Sequence, residues 1–105
     1  MEPKELFSIY KNEIIGIKVG CEGKTILEIP HGVTSIWKKA FIFAEDARII
    51  ILPDELIHIK ESAFEGLKNL QKIYIPQSVE IIEKDVFLGC TSLKIYCEAN
   101  PKKAG

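Results

Sequence analysis

The chain repeats itself every 23 residues. Prolines recur as Pro30, Pro53 and Pro76, and phenylalanines recur as Phe41, Phe64 and Phe87. A unit of 23 residues is too short to bury its own apolar face, so successive copies must stack into a solenoid. Five further columns keep one residue class at the same interval: Ile36/Ile59/Ile82, Leu27/Ile50/Ile73, Ile29/Leu52/Ile75, Val33/Leu56/Val79 and Ala40/Ala63/Val86.

Each unit opens with a short alternating stretch, as in Ile73-Tyr74-Ile75, which predicts a strand. Proline ends the strand because it has no N–H to donate to a continuing ladder. The apolar residues that follow, such as Val79, Ile82 and Phe87, predict an extended segment leading into one tight helical turn. Stacking then places the strands of successive units in a parallel sheet along one side of the solenoid.

The repeat predicts three regions. Residues 24–92 hold three full units, and residues 93–105 hold a shortened fourth unit and a polar tail. Residues 1–23 are out of phase with the repeat, and their apolar residues alternate on both sides of a polar turn at residues 11–13. We interpret them as a β-hairpin and linker that cap the solenoid, because an open sheet edge invites aggregation.

The charge pattern argues against several classes of partner. The chain has 14 basic and 15 acidic side chains and a net charge of -1, with no basic stripe that would indicate nucleic acid.

No apolar run approaches the ~20 residues of a membrane-spanning helix. The polar start Met1-Glu2-Pro3-Lys4-Glu5 is not a secretory signal peptide, so as it stands the chain is expected in the cytoplasm.

The three cysteines, Cys21, Cys90 and Cys97, include no C-x-x-C pair, which argues against a disulfide framework and a structural zinc site. Cys90 shares its column with Ala44 and Leu67, which predicts a buried, inert thiol. Cys21 and Cys97 are open to exposure and crosslinking.

We expect no catalytic residue, no cofactor and no metal, and therefore no enzyme. His31 and His58 have no second ligand at metal spacing and are predicted to be solvated. The acidic pairs Glu45-Asp46 and Asp54-Glu55 fall in predicted turns and are predicted to be solubilising loop charges. Nothing in the sequence assembles a nucleophile, a base and an orienting group.

The outward columns of the predicted sheet are the best candidates for a binding site. Within each strand the core columns point inward, and the residues between them point outward. An aliphatic and aromatic centre with a charged rim is typical of protein interfaces, although strand propensity alone also selects such residues. Trp37 is a second candidate for the interface. The alternative is that its side chain covers the junction between the hairpin and the repeats. The candidate interface comprises Ile26, Glu28, Arg48, Ile49, Ile51, Gln71, Lys72, Tyr74, Tyr96 and Trp37.

A family resemblance rests on the third unit, Ile75-Pro76-Gln77-Ser78-Val79, then Ile82, then Val86-Phe87-Leu88-Gly89-Cys90. This pattern resembles the 23-residue unit of the BspA-type leucine-rich repeat, and the resemblance covers roughly residues 24–99. It implies an α/β solenoid: a short right-handed leucine-rich-repeat array with parallel strands on its concave side and single helical turns or irregular structure elsewhere. Trp37 departs from the family, which usually has a small residue there.

The resemblance also implies a role in adhesion and surface interaction. If the chain is a fragment, the resemblance implies that it comes from a cell-surface or secreted array. We therefore expect a non-enzymatic module that binds an unknown protein partner on its concave strand face, with no nucleic acid and no membrane insertion. The alternative is a structural, self-associating module. A second copy would then cover the exposed solenoid edge or the concave patch.

Overall fold

The computed structural model of the chain describes residues 6–17, 23 and 25–97. These residues form short β-strands joined by turns. The hairpin strands are β1 (Phe7–Tyr10) and β2 (Glu13–Ile17). The strands of the repeats are β3 (Ile26–Glu28), β4 (Ser35–Ile36), β5 (Ile49–Ile51), β6 (His58–Ile59), β7 (Lys72–Tyr74), β8 (Ile81–Ile82) and β9 (Lys94–Tyr96).

The strands form two sheets, and each full unit contributes one strand to each. The four-stranded sheet has the order β3-β5-β7-β9 and is parallel throughout, as the repeat predicts. Leu27 pairs with Ile50 and Ile50 with Ile73 at the 23-residue interval, whereas Ile73 pairs with Ile95 because the last unit is one residue short. The five-stranded sheet, with the order β1-β2-β4-β6-β8, was not predicted; only its extended segments were.

The phenylalanine column forms the centre of a single core. The Phe41 and Phe64 ring centroids lie 4.9 Å apart, and those of Phe64 and Phe87 lie 5.9 Å apart. Phe7 of β1 continues the column at 6.0 Å from Phe41. The hairpin therefore adds a side chain to the same stack that the repeats build.

Turns replace the predicted helical segments. Lys39, Ser62 and Asp85 occupy the same place in successive units, and all three have positive φ angles of 57°, 58° and 60°. A residue in the left-handed conformation interrupts the right-handed conformation that an α-helix needs. The hydrogen bonds in these turns therefore join residues three apart in the chain, as from the Ala40 N–H to the Trp37 carbonyl (3.2 Å). The described residues contain no α-helix, so the chain is a β-solenoid of about three turns and the helical part of the α/β prediction is not found.

The β1-β2 hairpin lies at the N-terminal edge of the five-stranded sheet. Its two-residue turn, Lys11-Asn12, has positive φ at both positions, the geometry of a type I′ turn. β2 runs parallel to β4, and Ile14 pairs with Ile36 in the core. Of the predicted linker, residues 20–23, the structure describes only Gly23. Cys21 therefore lies outside the described residues.

The core is closed at one end and open at the other. Ile36 and Ile59 are completely buried, but Ile82 in the same column is 46% exposed. Ile73 is completely buried, but its partner Ile95 is also 46% exposed. The third unit and the partial fourth therefore form a layer without a described neighbour on its C-terminal side.

Candidate interaction site

The predicted interface residues divide between the two sheets. Nine of the ten lie on or directly before strands of the four-stranded sheet, and Trp37 follows β4 of the other sheet. The strand pairing puts the outward residues into two rows, and we call the surface that carries these rows the strand face. One row is Ile26, Ile49, Lys72 and Lys94, and the other is Glu28, Ile51, Tyr74 and Tyr96.

Apolar side chains occupy part of both rows of the strand face. Ile26 at its N-terminal end is 57% exposed, and Ile49 and Ile51 are half-buried in the middle. Tyr74 and Tyr96 continue it as a stacked pair, with ring centroids 5.1 Å apart and planes inclined by 23°. Stacking holds both rings in place, so this end presents a preformed aromatic surface.

Basic side chains border the aromatic end of the strand face. Lys72 and Lys94 are exposed neighbours in one row, and exposed Arg48 directly precedes β5. The opposite end carries the half-buried Glu28. Arg48 and Gln71 are held together through the backbone, because the Gln71 N–H donates to the Arg48 carbonyl at 2.7 Å. Lys72 and Lys94, which share the strands of the tyrosines, therefore bring positive charge to the aromatic end of the strand face.

Trp37 belongs to a different cluster, on the outer face of the five-stranded sheet. The Lys60 ammonium lies 4.3 Å from the centroid of the Trp37 ring and 2.8 Å from Oε2 of Glu13 in the hairpin. The Trp37 backbone N–H donates to the Ile14 carbonyl. Trp37 is thus placed where the hairpin meets the repeats, away from the other nine candidates.

Glu13 is the anionic centre of this second cluster. Burial, the strongest single influence, raises the pKa of its carboxyl, but hydrogen bonds from Lys60 and from the Ser35 hydroxyl, together with the Lys60 and His58 charges, bring its pKa below the usual value. Sequence reasoning missed this cluster because Glu13 lies in the hairpin, outside the repeat register. The only signal was that Trp37 and Lys60 share a column.

The two cysteines among the described residues differ in exposure. The Cys90 thiol is half-buried and donates to the Phe64 carbonyl at 3.0 Å. Burial raises the pKa of Cys90 despite opposing backbone hydrogen bonds, so the thiol stays protonated at neutral pH. Cys97 is a free, exposed thiol.

Two of the acidic turn residues accept hydrogen bonds from backbone N–H groups that lie 23 residues earlier in the chain. Asp46 accepts the Gly23 N–H at 2.7 Å, and Glu55 accepts the Gly32 N–H at 2.9 Å. The Gly32 hydrogen bond is the main reason that the pKa of Glu55 is lowered. Of the two histidines predicted to be solvated, His31 is 78% exposed and lies 3.4 Å from Glu55, whereas His58 is mostly buried and contacts Glu83.

Two other kinds of site are absent from the part of the chain that the structure describes. It contains no group of three or more His, Cys, Asp or Glu side chains placed to hold a metal ion. None of its segments is a helix long and apolar enough to cross a membrane. A shallow depression is lined by Ile42, Glu45, Gly66, Lys68 and Asn69.

One family model and one solved structure are similar to this chain. A crystal structure of a leucine rich cell surface protein from Faecalibacterium prausnitzii A2-165 is similar at 19% identity and a TM-score of 0.43, over 91% of this chain and 38% of that chain. The chain thus spans well under half of that protein's length, and no curated protein matches it. The family model described as "BspA type Leucine rich repeat region (6 copies)" matches residues 19–100. This chain therefore belongs to the BspA-type leucine-rich repeat proteins.

Proposed function

We propose that the chain is a non-enzymatic binding module that holds a protein partner on its strand face. The observation that carries this proposal is the set of apolar side chains in the two rows of the strand face, Ile26, Ile49, Ile51, Tyr74 and Tyr96. Contiguous exposed apolar side chains with aromatic members are typical of the central part of protein interfaces. The adhesion and surface-interaction roles implied by the family support the same conclusion.

The charge around the aromatic pair favours an acidic partner. Lys72 and Lys94 lie on the same two strands as Tyr74 and Tyr96, so the partner would bring an apolar side chain to the rings and carboxylates to the rim. Rim charges act mainly through long-range attraction, which salt screens. We therefore expect affinity to fall as ionic strength rises.

The setting that fits this function is a cell surface or a secreted array. The family resemblance supports this location, because it implies a role in adhesion. The strand face would then be displayed to proteins outside the cell.

The test compares matched variants in partner capture. The immobilised chain would be exposed to solubilised cell-surface proteins, and each captured protein would be purified and titrated against the chain in solution. We expect Ile51→Lys and Tyr74→Ala to weaken binding by tenfold or more, because truncating a central interface residue typically costs about 2 kcal/mol or more.

The control variant is Ile15→Lys. Ile15 is 46% exposed, but it lies on β2 of the other sheet, so its replacement should leave binding unchanged. All three variants must retain the wild-type circular dichroism spectrum. Binding that survives both Ile51→Lys and Tyr74→Ala would move the site away from the strand face.

A further inference from the structure

Phe43 is an exposed aromatic side chain at a place where the other units have no side chain. It is 79% exposed, which makes it the most exposed of the large apolar side chains that the structure describes. At the 23-residue interval its repeat mates are Gly66 and Gly89. Neither core packing nor the repeat pattern therefore accounts for the Phe43 ring.

A depression lies beside the turn that carries Phe43. Gly66 leaves this depression open, because a Cβ added to Gly66 would meet no atom within 4 Å. A cavity of about 150 Å³ is enough to hold benzene, so a volume of about 340 Å³ can take a phenyl ring. The lining residues are Ile42, Glu45, Gly66, Lys68 and Asn69.

The depression is held in shape by hydrogen bonds between units. The Asn69 side-chain amide donates to the Glu45 carbonyl at 2.9 Å, which joins the turns of the first and second units. The Gly66 N–H donates to the Leu88 carbonyl of the third unit at 2.7 Å. A preformed depression needs little ordering when it is filled, so more of the contact energy is left for binding.

The rim of the depression carries one charge of each sign. Glu45 and Lys68 are both exposed, and neither side chain forms an ion pair with another of the described residues. A partner that carries a single sign of charge would be repelled by one of the two. A two-fold rotation instead brings Glu45 of one copy towards Lys68 of a second copy, so the rim is complementary to itself.

We propose that a second copy of this chain occupies the depression, with the Phe43 ring of each copy inserted into the depression of the other. The projecting ring and the depression belong to neighbouring turns, so both lie on the surface that the two copies share. Because the same surface is used on both copies, the contact closes as a dimer and does not extend into a filament.

The dimer goes beyond the proposed function and does not depend on it. None of the contact residues belongs to the strand face, so both strand faces of the dimer stay free. A dimer that carries two strand faces would hold a partner with several binding sites more tightly than one chain does.

Sedimentation equilibrium of the 105-residue chain over a range of concentrations tests the proposal. The expected result is a reversible association from 11.8 kDa to twice that mass, with no larger species. Phe43→Ala should weaken dimerisation by roughly tenfold or more and leave the core intact, because the side chain is exposed. The matched control is Tyr10→Ala, which removes a 62% exposed aromatic ring from the hairpin and should leave dimerisation unchanged.

A charge exchange tests the rim. Glu45→Lys alone and Lys68→Glu alone each put like charges opposite each other across the two-fold axis, and each should weaken dimerisation by about fivefold. The double variant restores opposite charges and should restore dimerisation. Each variant must retain the wild-type circular dichroism spectrum.

Ile26→Lys separates this dimer from self-association through the strand face. Ile26 lies on the strand face, so its replacement should leave the proposed dimer unchanged. A dimer that responds to Ile26→Lys and not to Phe43→Ala would overturn the proposal. A strictly monomeric wild type, a charge exchange that does not restore dimerisation, or growth beyond a dimer would each overturn it as well.

Discussion

The ammonium of Lys60 lies 2.8 Å from Oε2 of Glu13. Glu13 begins β2 of the hairpin, and Lys60 directly follows β6, so this ion pair reaches across the intervening strand β4. Both side chains are mostly buried, and the Ser35 hydroxyl donates to the same carboxylate oxygen at 2.7 Å. The pair therefore joins the hairpin to the second unit.

This ion pair makes stability depend on pH. The pKa of Glu13 is lower in the folded chain than in the unfolded chain, so its contribution to the free energy of unfolding is complete above the ordinary carboxyl range, about pH 4 to 4.5, and is lost as pH falls through the lower folded pKa. We expect Glu13→Gln to cost on the order of 1 kcal/mol at pH 7 and much less near pH 3.

Urea denaturation of wild type and variant at a series of pH values would measure this difference. Glu45→Gln, at an exposed turn, is the matched control and should give a small difference at every pH. A Glu13→Gln penalty that stays constant from pH 7 to pH 3 would contradict the role assigned to the ion pair.

Phe64 is expected to be the most sensitive core position. It is completely buried and contacts a phenylalanine on either side, Phe41 at 4.9 Å and Phe87 at 5.9 Å. Phe64→Ala should lower the free energy of unfolding by about 3–5 kcal/mol, most or all of the stability of a small domain. Leu88→Ala, at a 56% exposed position of a turn, should change it little. A melting curve that barely moves for Phe64→Ala would be incompatible with a stacked core.

Gly32 is expected to resist substitution for a backbone reason. Its φ is 91°, in the left-handed region, although an added Cβ would have nothing within 4 Å. Gly32→Ala should therefore destabilise the fold by about 1 kcal/mol through backbone strain alone. Gly16→Ala also meets open space but has no positive φ, so it should be neutral or slightly stabilising. Equal effects of the two substitutions in chemical denaturation would rule out the strain explanation.

The two described thiols should react at different rates. Cys97 is exposed, whereas Cys90 is half-buried, donates to the Phe64 carbonyl and has a raised pKa. Under native conditions at neutral pH we expect iodoacetamide to modify Cys97 first, with Cys90 becoming equally reactive only in urea. Peptide mass spectrometry over time separates the sites. Native modification of Cys90 as fast as that of Cys97 would show that its thiol is accessible and ionised.

The strand face was predictable because its signal is local. In Arg48-Ile49-Ile50-Ile51-Leu52-Pro53 the repeat register assigns Ile50 and Leu52 to core columns and leaves Ile49 and Ile51 facing outward. The structure agrees, with Ile50 and Leu52 completely buried and the other two half-buried. Strand alternation and a constant period were sufficient, because stacking copies the same local geometry from unit to unit.

The second sheet and its ion pairs were not predictable in the same way. A two-residue strand such as His58–Ile59 is too short to show an alternation, and its pairing depends on the neighbouring units. Positive φ at Lys39, Ser62 and Asp85 also had no sequence signal, because none of them is glycine. These features come from how one turn packs on the next.

The amino-acid sequence by itself therefore determined the repeat class, the core columns and the nine candidate residues on or directly before the strands of the four-stranded sheet, because each depends on spacing within a unit. Only the tertiary structure decided that Trp37 lies apart from those nine with Lys60 and Glu13, and that Ile82 and Ile95 are exposed while their repeat mates are buried. The physical reason is that a column's residue type is a local property, whereas its exposure depends on whether another layer lies above it.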